Sequence, residues 1–317
     1  MLKYIVIPLS HDVISFCSYS FNSSMKNEIA PDVLSKAICW AMKENLFIQF
    51  VYPINKISDN IRNVVSSIEH VDIVPSDCKD DLLLRTAQVV VFNTCHKMRD
   101  FQFRRDASYI LRTTLFELID NVDALKKAIR LVDRINITLL DIPMLTECDL
   151  NQYEFILNSL IPQVFNEYKQ GHNVELNILT DRIFLSGMNN CGAGELSVSM
   201  DLDGNLFACP AFEGNVDKII GNINSRWSNI FSSKVNITKS PICRICDAWQ
   251  CKRCIWLNYT LTEELNIPSY QQCIISHIER RASSQLLNLL KEHDTDKYGK
   301  YSIKTINYLD PFELVKK

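Results

Sequence analysis

Seven of the twelve cysteines lie between positions 191 and 273, and their spacing is the strongest chemical signal in the chain. Cys191 is followed after twelve residues by Gly204, and Cys209 comes four residues beyond that glycine. A gap of 33 residues leads to Cys243 and Cys246, four more residues lead to Cys251 and Cys254, and Cys273 closes the set. A C-x2-C turn lets two thiolates converge on one centre, and four converging thiolates satisfy a zinc ion or an iron–sulfur cluster. Between Cys191 and Cys209, Leu196, Val198, Met200 and Leu202 alternate with polar residues before Asp203-Gly204. Alternation broken by Asp-Gly predicts a β-hairpin, with both turn residues accepting positive φ. The hairpin would return Cys209 towards Cys191. A disulfide framework fits poorly, because no secretory signal precedes the pattern and 317 residues supply a core without staples.

The arrangement resembles the SPASM domain, the C-terminal extension of radical SAM peptide-maturing enzymes. The signature of that family runs C-x9–15-G-x4-C, a gap, C-x2-C-x5-C-x3-C, a gap, and C. The first half, the Cys243/Cys246 pair and Cys273 match. The middle is tighter here, with four residues between Cys246 and Cys251 and two between Cys251 and Cys254. The resemblance implies that Cys243, Cys246, Cys251 and Cys273 hold one auxiliary [4Fe–4S] cluster. It assigns Cys191, Cys209 and Cys254 to a second, whose fourth ligand the family supplies just upstream of the hairpin. Residues 180–190 contain no cysteine, so that centre has an open iron, a non-cysteine ligand, or does not form. Zinc in one or two ribbons is the alternative occupant.

These ligands need a scaffold, and the first 180 residues supply alternating apolar runs and helical patterns. Strands are predicted at Tyr4–Leu9, Leu46–Tyr52, Val71–Val74, Gln88–Phe92, Ile135–Leu140 and Val174–Leu179. Helices are predicted at Pro31–Met42, at Ser58–Ile68 with Ser58 as cap, and at Gln152–Lys169 with Gly171 as its stop. A long helical region is expected from about Asp106 to Leu131. Strands buried on both faces and separated by helices make an α/β protein with a parallel sheet. Six such units fit a partial (β/α)6 barrel, whose closure the resemblance implies. A doubly wound open sheet fits the same alternation, but neither G-x-G-x-x-G nor G-x4-G-K-S/T occurs. The expected division is a radical-SAM-like barrel over 1–184, a SPASM-like unit over 185–284, and a tail over 285–317.

A working radical SAM enzyme carries C-x3-C-x2-C in the loop after its first strand. Here that loop reads Ser10-His11-Asp12-Val13-Ile14-Ser15-Phe16-Cys17-Ser18-Tyr19-Ser20, with one cysteine, and no C-x3-C-x2-C occurs elsewhere. The expected partner positions hold Val13 and Ser20. Reductive cleavage of S-adenosylmethionine by the usual cluster is therefore not expected. The combination resembles degenerate radical SAM/SPASM proteins, in particular the CXXX-repeat peptide maturases, through Ser15-Phe16-Cys17 with Tyr19 and through the run Ala41–Pro53.

Cys17, Cys78, Cys95 and Cys148 each follow a predicted strand, and strand C-termini form the active face of a β/α barrel. Gathering there as ligands or exchanging thiols is one expectation; burial as small hydrophobes is the other. Cys39, inside the first helix, is expected in the core. Cys17, His11 and Cys95 are the candidate catalytic residues, and Trp249 and Trp256 are placed to shield a metal site from water. Net charge of −3 gives no reason to expect nucleic acid or anionic membrane as partner. No apolar run approaches the roughly 20 residues of a membrane helix, and the opening MLKYIVIPLS lacks signal-peptide character, so a cytoplasmic location is expected.

The resemblance thus implies a pseudo-radical-SAM/SPASM protein of a ribosomal peptide modification system. It would carry one or two [4Fe–4S] clusters and engage a cysteine-rich precursor peptide, an intact radical SAM partner enzyme, or both. Two alternatives stay open: an active maturase using an unconventional cluster, and a zinc-stabilised binding module without redox function.

Overall fold

The computed structural model describes residues 2–19, 27–185, 192–225, 243, 246, 248 and 254–303. Among these, ten strands form one sheet: β1 (Tyr4–Pro8), β2 (Phe47–Val51), β3 (Val71–Pro75), β4 (Val89–Phe92), β5 (Ser108–Thr113), β6 (Arg134–Leu139), β7 (Glu175–Leu176), β8 (Ser197–Met200), β9 (Asn205–Phe207) and β10 (Ile219–Asn222). Their order is β10-β9-β8-β1-β2-β3-β4-β5-β6-β7. Strands β1 to β7 are parallel and follow chain order. The expected hairpin does not stand apart: β8 joins β1 in parallel, with Tyr4 opposite Ser197, and β9 and β10 continue antiparallel.

The connecting helices are α1 (Pro31–Lys43), α2 (Asp59–Val65), α3 (Asp81–Thr86), α4 (Leu115–Asp120), α5 (Val122–Ile129), α6 (Glu147–Lys169), α7 (Asp181–Phe184), α8 (Ile255–Thr262), α9 (Tyr270–His293) and α10 (Thr295–Tyr298). Side chains alternate along each strand, and both faces find apolar partners. Ile5, Ile7, Phe50, Val90, Phe92, Tyr109, Leu111, Ile135 and Ile137 join the helices in the main core. Val6, Val51, Ile73 and Val91 face the other way and make a second cluster with Val13 and Ile14. Two buried faces are what parallel β/α units require, so the fold is α/β, as the sequence pattern implies.

Two elements differ from expectation. The region 106–131 is not continuously helical, because Ser108–Thr113 forms β5, central in the sheet between β4 and β6. The apolar run Tyr109-Ile110-Leu111 followed by Arg112 imitates a helix turn. Thr114 then caps α4, its Oγ1 accepting the Glu117 N–H at 3.2 Å. The last parallel strand shrinks to two residues. Past it, Asn177 continues the pairing with its side chain, Oδ1 accepting from Ile137 N at 2.8 Å and Nδ2 donating to Ile137 O at 3.0 Å.

The hairpin turn also differs in detail. Only Gly204 has positive φ, at 84°, and Asp203 does not. The turn spans Asp201 to Gly204, with Asp201 Oδ1 accepting the N–H groups of Asp203 and Asn205. Gly171 ends α6 in the left-handed conformation expected of it, at φ 83°. Helix α9 starts in a capping box between Ser269 and Gln272 and packs along α6. The expected boundary at 284/285 falls inside α9 and marks no break in the chain. Beyond α9, Tyr298 is buried and Tyr301 meets the Phe184 ring edge-on at 5.1 Å, so the start of the expected tail is part of the core. Residues 304–317 lie outside the described residues. No helix among the described residues is long and apolar enough to cross a membrane.

Candidate functional site

The loop after β1 turns back into the sheet's inner face instead of standing clear of it. Val13 bridges to Pro53, and Val13 and Ile14 are buried with Val6, Val51, Ile73 and Val91, with Phe16 packed against them. Arg112 reaches the same loop from the inner face of β5. Its Nε donates to Cys17 O at 2.7 Å, Nη2 to Tyr19 O at 2.8 Å, and Nη1 to Asn93 Oδ1 at 2.7 Å. Burial lowers the Arg112 pKa, while Tyr19 and Cys17 act in the opposite direction. A planar fork of donors suits several carbonyl acceptors at once. One cation thus fixes the loop's path at both Cys17 and Tyr19.

Tyr19 links this loop to the hairpin. Its phenol is held well above the usual value, first by burial and then by the charges of Cys17, Cys209 and Glu213. Its ring meets Trp256 edge-on at 6.3 Å. Glu213, four residues past Cys209, keeps Oε1 buried without a hydrogen-bond partner among the described residues, and burial followed by Asp201 pushes its carboxyl well up. A buried unspent acceptor needs an explanation.

A cavity of about 370 Å³ lies between the loop, β6, the end of β7, and helices α8 and α9. Arg134, Asn136 and Thr138 alternate along β6 and give it a polar wall. Arg134 pairs with Glu175 and, at 3.1 Å, with Asp181. Across the cavity, Glu279 accepts from Tyr153 OH at 2.8 Å and pairs with Arg182 at 2.7 Å, both members of that ion pair being under a tenth exposed. Cys17 and Cys254 both line this cavity; His11 and Cys95 do not. A mostly apolar cavity with one polar wall and two thiols at its edge can receive a peptide side chain.

Of the seven cysteines in the spaced set, five are among the described residues; Cys191 and Cys251, with Trp249, lie outside them. Cys209 is buried with Phe207, Phe212 and Ile255, against which Trp256 and Tyr259 pack. Cys254 starts α8, its Sγ accepting the Leu257 N–H at 3.4 Å. Cys243 and Cys246 form a turn closed by Cys246 N–H to Cys243 O at 3.2 Å, and Cys246 Sγ accepts from Ala248 N at 3.3 Å. The Cys273 thiol is pushed up by burial and then by the charges of Cys243 and Cys246. His277 stands beside this turn, its Nε2 3.7 Å from Cys246 Sγ. Among the described residues no three His, Cys, Asp or Glu side chains are drawn together tightly enough to hold a metal ion. The donor types still fit a thiolate-bound centre. The signal for His277 in the sequence is its four-residue step from Cys273, one helix turn.

The remaining cysteines do not gather at the barrel mouth. Cys78 and Cys95 are buried in the helix-side core; Asp80 N donates to the Cys78 sulfur at 3.5 Å, and Cys95 Sγ donates to Asn121 O at 3.8 Å. Burial, reinforced by Glu117, pushes the Cys95 thiol up to about 12. Cys148, at the start of α6, is exposed. Cys39 is exposed as well, not in the core as expected: α1 turns Leu34, Ala37, Ile38 and Ala41 inward and leaves Cys39 outside. Of Cys17, Cys78, Cys95 and Cys148 only Cys17 lines the cavity, and Cys78 and Cys95 follow the alternative expectation of burial. His96 is exposed and His11 partly so.

No protein-family model matches the sequence, and no curated protein matches it. Solved structures do match. Native anSMEcpe with bound AdoMet and Cp18Cys peptide shares 11% identity at a TM-score of 0.59, covering 92% of this chain and 99% of its own. His-tagged anSMEcpe with bound AdoMet gives 10% identity and a TM-score of 0.61, covering 91% and 98%. SuiB from Streptococcus suis bound to S-adenosylmethionine gives 12% and 0.50, covering 86% and 77%. These neighbours are radical SAM/SPASM peptide maturases. The chain shares their fold across nearly its whole length.

Proposed function

We propose that this chain is a pseudo-radical-SAM protein of a ribosomal peptide modification system. It binds a peptide in the barrel cavity and auxiliary [4Fe–4S] clusters through its cysteine-rich C-terminal part, in support of an intact radical SAM partner. The working division is a barrel over 1–184 and a cluster-bearing unit over 185–284, with α9 running on beyond it. The observation that carries this reading is the loop after β1. It holds a single cysteine, and Arg112 together with Val13 and Ile14 commits it to the sheet's inner face. A loop fixed in this way by protein contacts has its position without a cluster.

Peptide binding is supported by the cavity and by the neighbours, two of which were solved with a Cp18Cys peptide and with the precursor peptide SuiA. Arg134, Asn136 and Thr138 would orient the peptide, and Cys17 would face a cysteine in it. When bound, clusters supply one-electron redox capacity, or an open iron for a substrate thiolate. Cys243, Cys246, Cys251 and Cys273 would hold one, and Cys191, Cys209 and Cys254 the other, with Glu213 Oε1 as an unspent oxygen beside Cys209.

The test is metal and sulfide content of anaerobically purified protein, followed by incubation with S-adenosylmethionine and dithionite. About eight irons per chain with matching sulfide, and no 5′-deoxyadenosine, is the expected result. Cofactor cleavage would replace this reading with the active-maturase one. Bound zinc and a colourless protein would leave a structural binding module.

A further inference from the structure

The polar lining of the barrel cavity divides into groups that the chain has already used and groups that it has not. Asn177 spends its amide on Ile137, Gln272 spends its own on Ser269 and Asn258, and Tyr153 donates to Glu279. The side chains of Asn136 and Thr138 also line the cavity and make no hydrogen bond among the described residues. Asp181, only 7% exposed, gives Oδ2 to Arg134, while its Oδ1 has no hydrogen-bond partner among the described residues. Buried polar groups are ordinarily matched, so these unspent atoms say what the cavity receives.

Arg134 opens β6, and it also lines a hollow with Ser108 and Glu175 at the N-terminal ends of the strands. It therefore marks the end of the cavity away from Cys17, which belongs to the loop at the C-terminal end of β1. Arg134 is the one cation among the described residues that line this cavity. Asp181 and Glu279 from within, and the half-exposed Glu175 from the solvent side, face Arg134 and Arg182. Three carboxylates against two guanidiniums leave one negative charge in excess. The walls leading there are aliphatic, with Ile137, Ile178 and Ile275. From Asn136 back to Arg134 is about 6.6 Å of strand, a span that the stem of a lysine or arginine covers. An apolar stem along apolar surface with its charge at a polar end is how these side chains bury themselves.

Resting on the peptide-binding reading above, we propose that the cavity selects a basic residue of the peptide. The main chain of that residue bonds to Asn136 and Thr138, whose amide and hydroxyl offer both donors and acceptors. Its lysine or arginine head meets Asp181 Oδ1.

The experiment is calorimetric titration of the full, reduced chain with acetylated, amidated pentapeptides. Two glycines flank each side of one variable residue: lysine, arginine, norleucine or glutamine. At least one basic peptide is expected to bind about tenfold or more tightly than norleucine and glutamine, about 1.4 kcal/mol, and the tighter of the two identifies the head group. Asp181→Asn, in which Arg134 keeps Glu175, should remove most of that preference and leave norleucine binding unchanged. No such preference in the wild type overturns the proposal, a comparison that needs no variant. A preference that survives intact in Asp181→Asn overturns it as well, and leaves Asp181 as a partner of Arg134 alone. If none of the four peptides binds, the peptide-binding reading of the cavity itself fails, which is a separate result.

Discussion

Replacing Arg112 by methionine removes three hydrogen bonds, two that tie β5 to the loop after β1 and one to Asn93 after β4, while keeping a side chain of similar length. Each bond has an ionised donor, and the loop carbonyls of Cys17 and Tyr19 accept at 2.7 and 2.8 Å. Bonds to charged groups contribute about 1.5–3 kcal/mol each, so the low end for three is about 4.5 kcal/mol. Methionine avoids burying a charge, which returns about 1–2 kcal/mol, leaving a net loss of about 3 kcal/mol. For a chain of this length, about 2 °C per kcal/mol gives a melting point lower by roughly 6 °C. The loss is also local. The share of the two loop bonds is about 2 kcal/mol, so amide hydrogen exchange in residues 13–19 should accelerate by about thirtyfold, at a factor of ten per 1.4 kcal/mol.

Arg112→Lys sharpens the test. Lysine keeps the charge but not the fork, so it should recover less than half of the lost stability and leave loop exchange fast. If methionine left both melting and loop exchange at wild-type values, Arg112 would not be what fixes the loop. If lysine matched arginine, charge alone would suffice and the directional argument would fail.

Other consequences are as concrete. Asn177→Ala should cost about 2–4 kcal/mol, because two buried main-chain groups of Ile137 lose their bonds; an unchanged urea midpoint would mean that Asn177 does not hold the end of β7. Glu279→Gln should cost about 3–5 kcal/mol by leaving Arg182 charged and buried, and pairing it with Arg182→Met should recover part of that loss. His70 is raised by its hydrogen bond to Asp72, against the opposing effect of burial. Its share of stability is therefore complete below about pH 6.5 and fades as pH rises through the folded value. Melting curves across that window should flatten in Asp72→Asn, and equal slopes in both proteins would refute the link.

Much of the scaffold was legible because burial on both sheet faces writes itself as apolar runs. β1, β2, β3, β4 and β6 fall within a residue or two of their apolar runs, and Pro31 and Gly171 bound helices as their backbone restrictions require. Of the spaced cysteines, Cys243 and Cys246 form the expected turn, while Cys191 and Cys251 lie outside the described residues. Other features were hidden for specific reasons. His277 reaches the Cys243 turn only because a helix from far along the chain docks there. Cys39 was misplaced because a helix pattern fixes a stripe, not the identity of each residue at its edge. Asn177 acts as strand continuation through its side chain, which no propensity describes.

β5 was the largest omission, and its cause connects fold to function. A strand lying in the middle of a sheet should be apolar on both faces, and Ser108–Thr113 breaks that rule at Arg112. The inner face of the sheet is not uniform, however. From β1 to β4 it is filled by valine and isoleucine together with the loop's Val13 and Ile14. From β6 onward it is lined by Arg134, Asn136 and Thr138 around a cavity. Arg112 stands at the boundary, bonding to the loop on the filled side. A charge is tolerated there because three acceptors meet it, and the loop keeps its path because the charge is there. Local rules give way at positions where a structure does something beyond folding. The residue that concealed β5 is therefore the residue on which the reading of this chain as a pseudoenzyme depends.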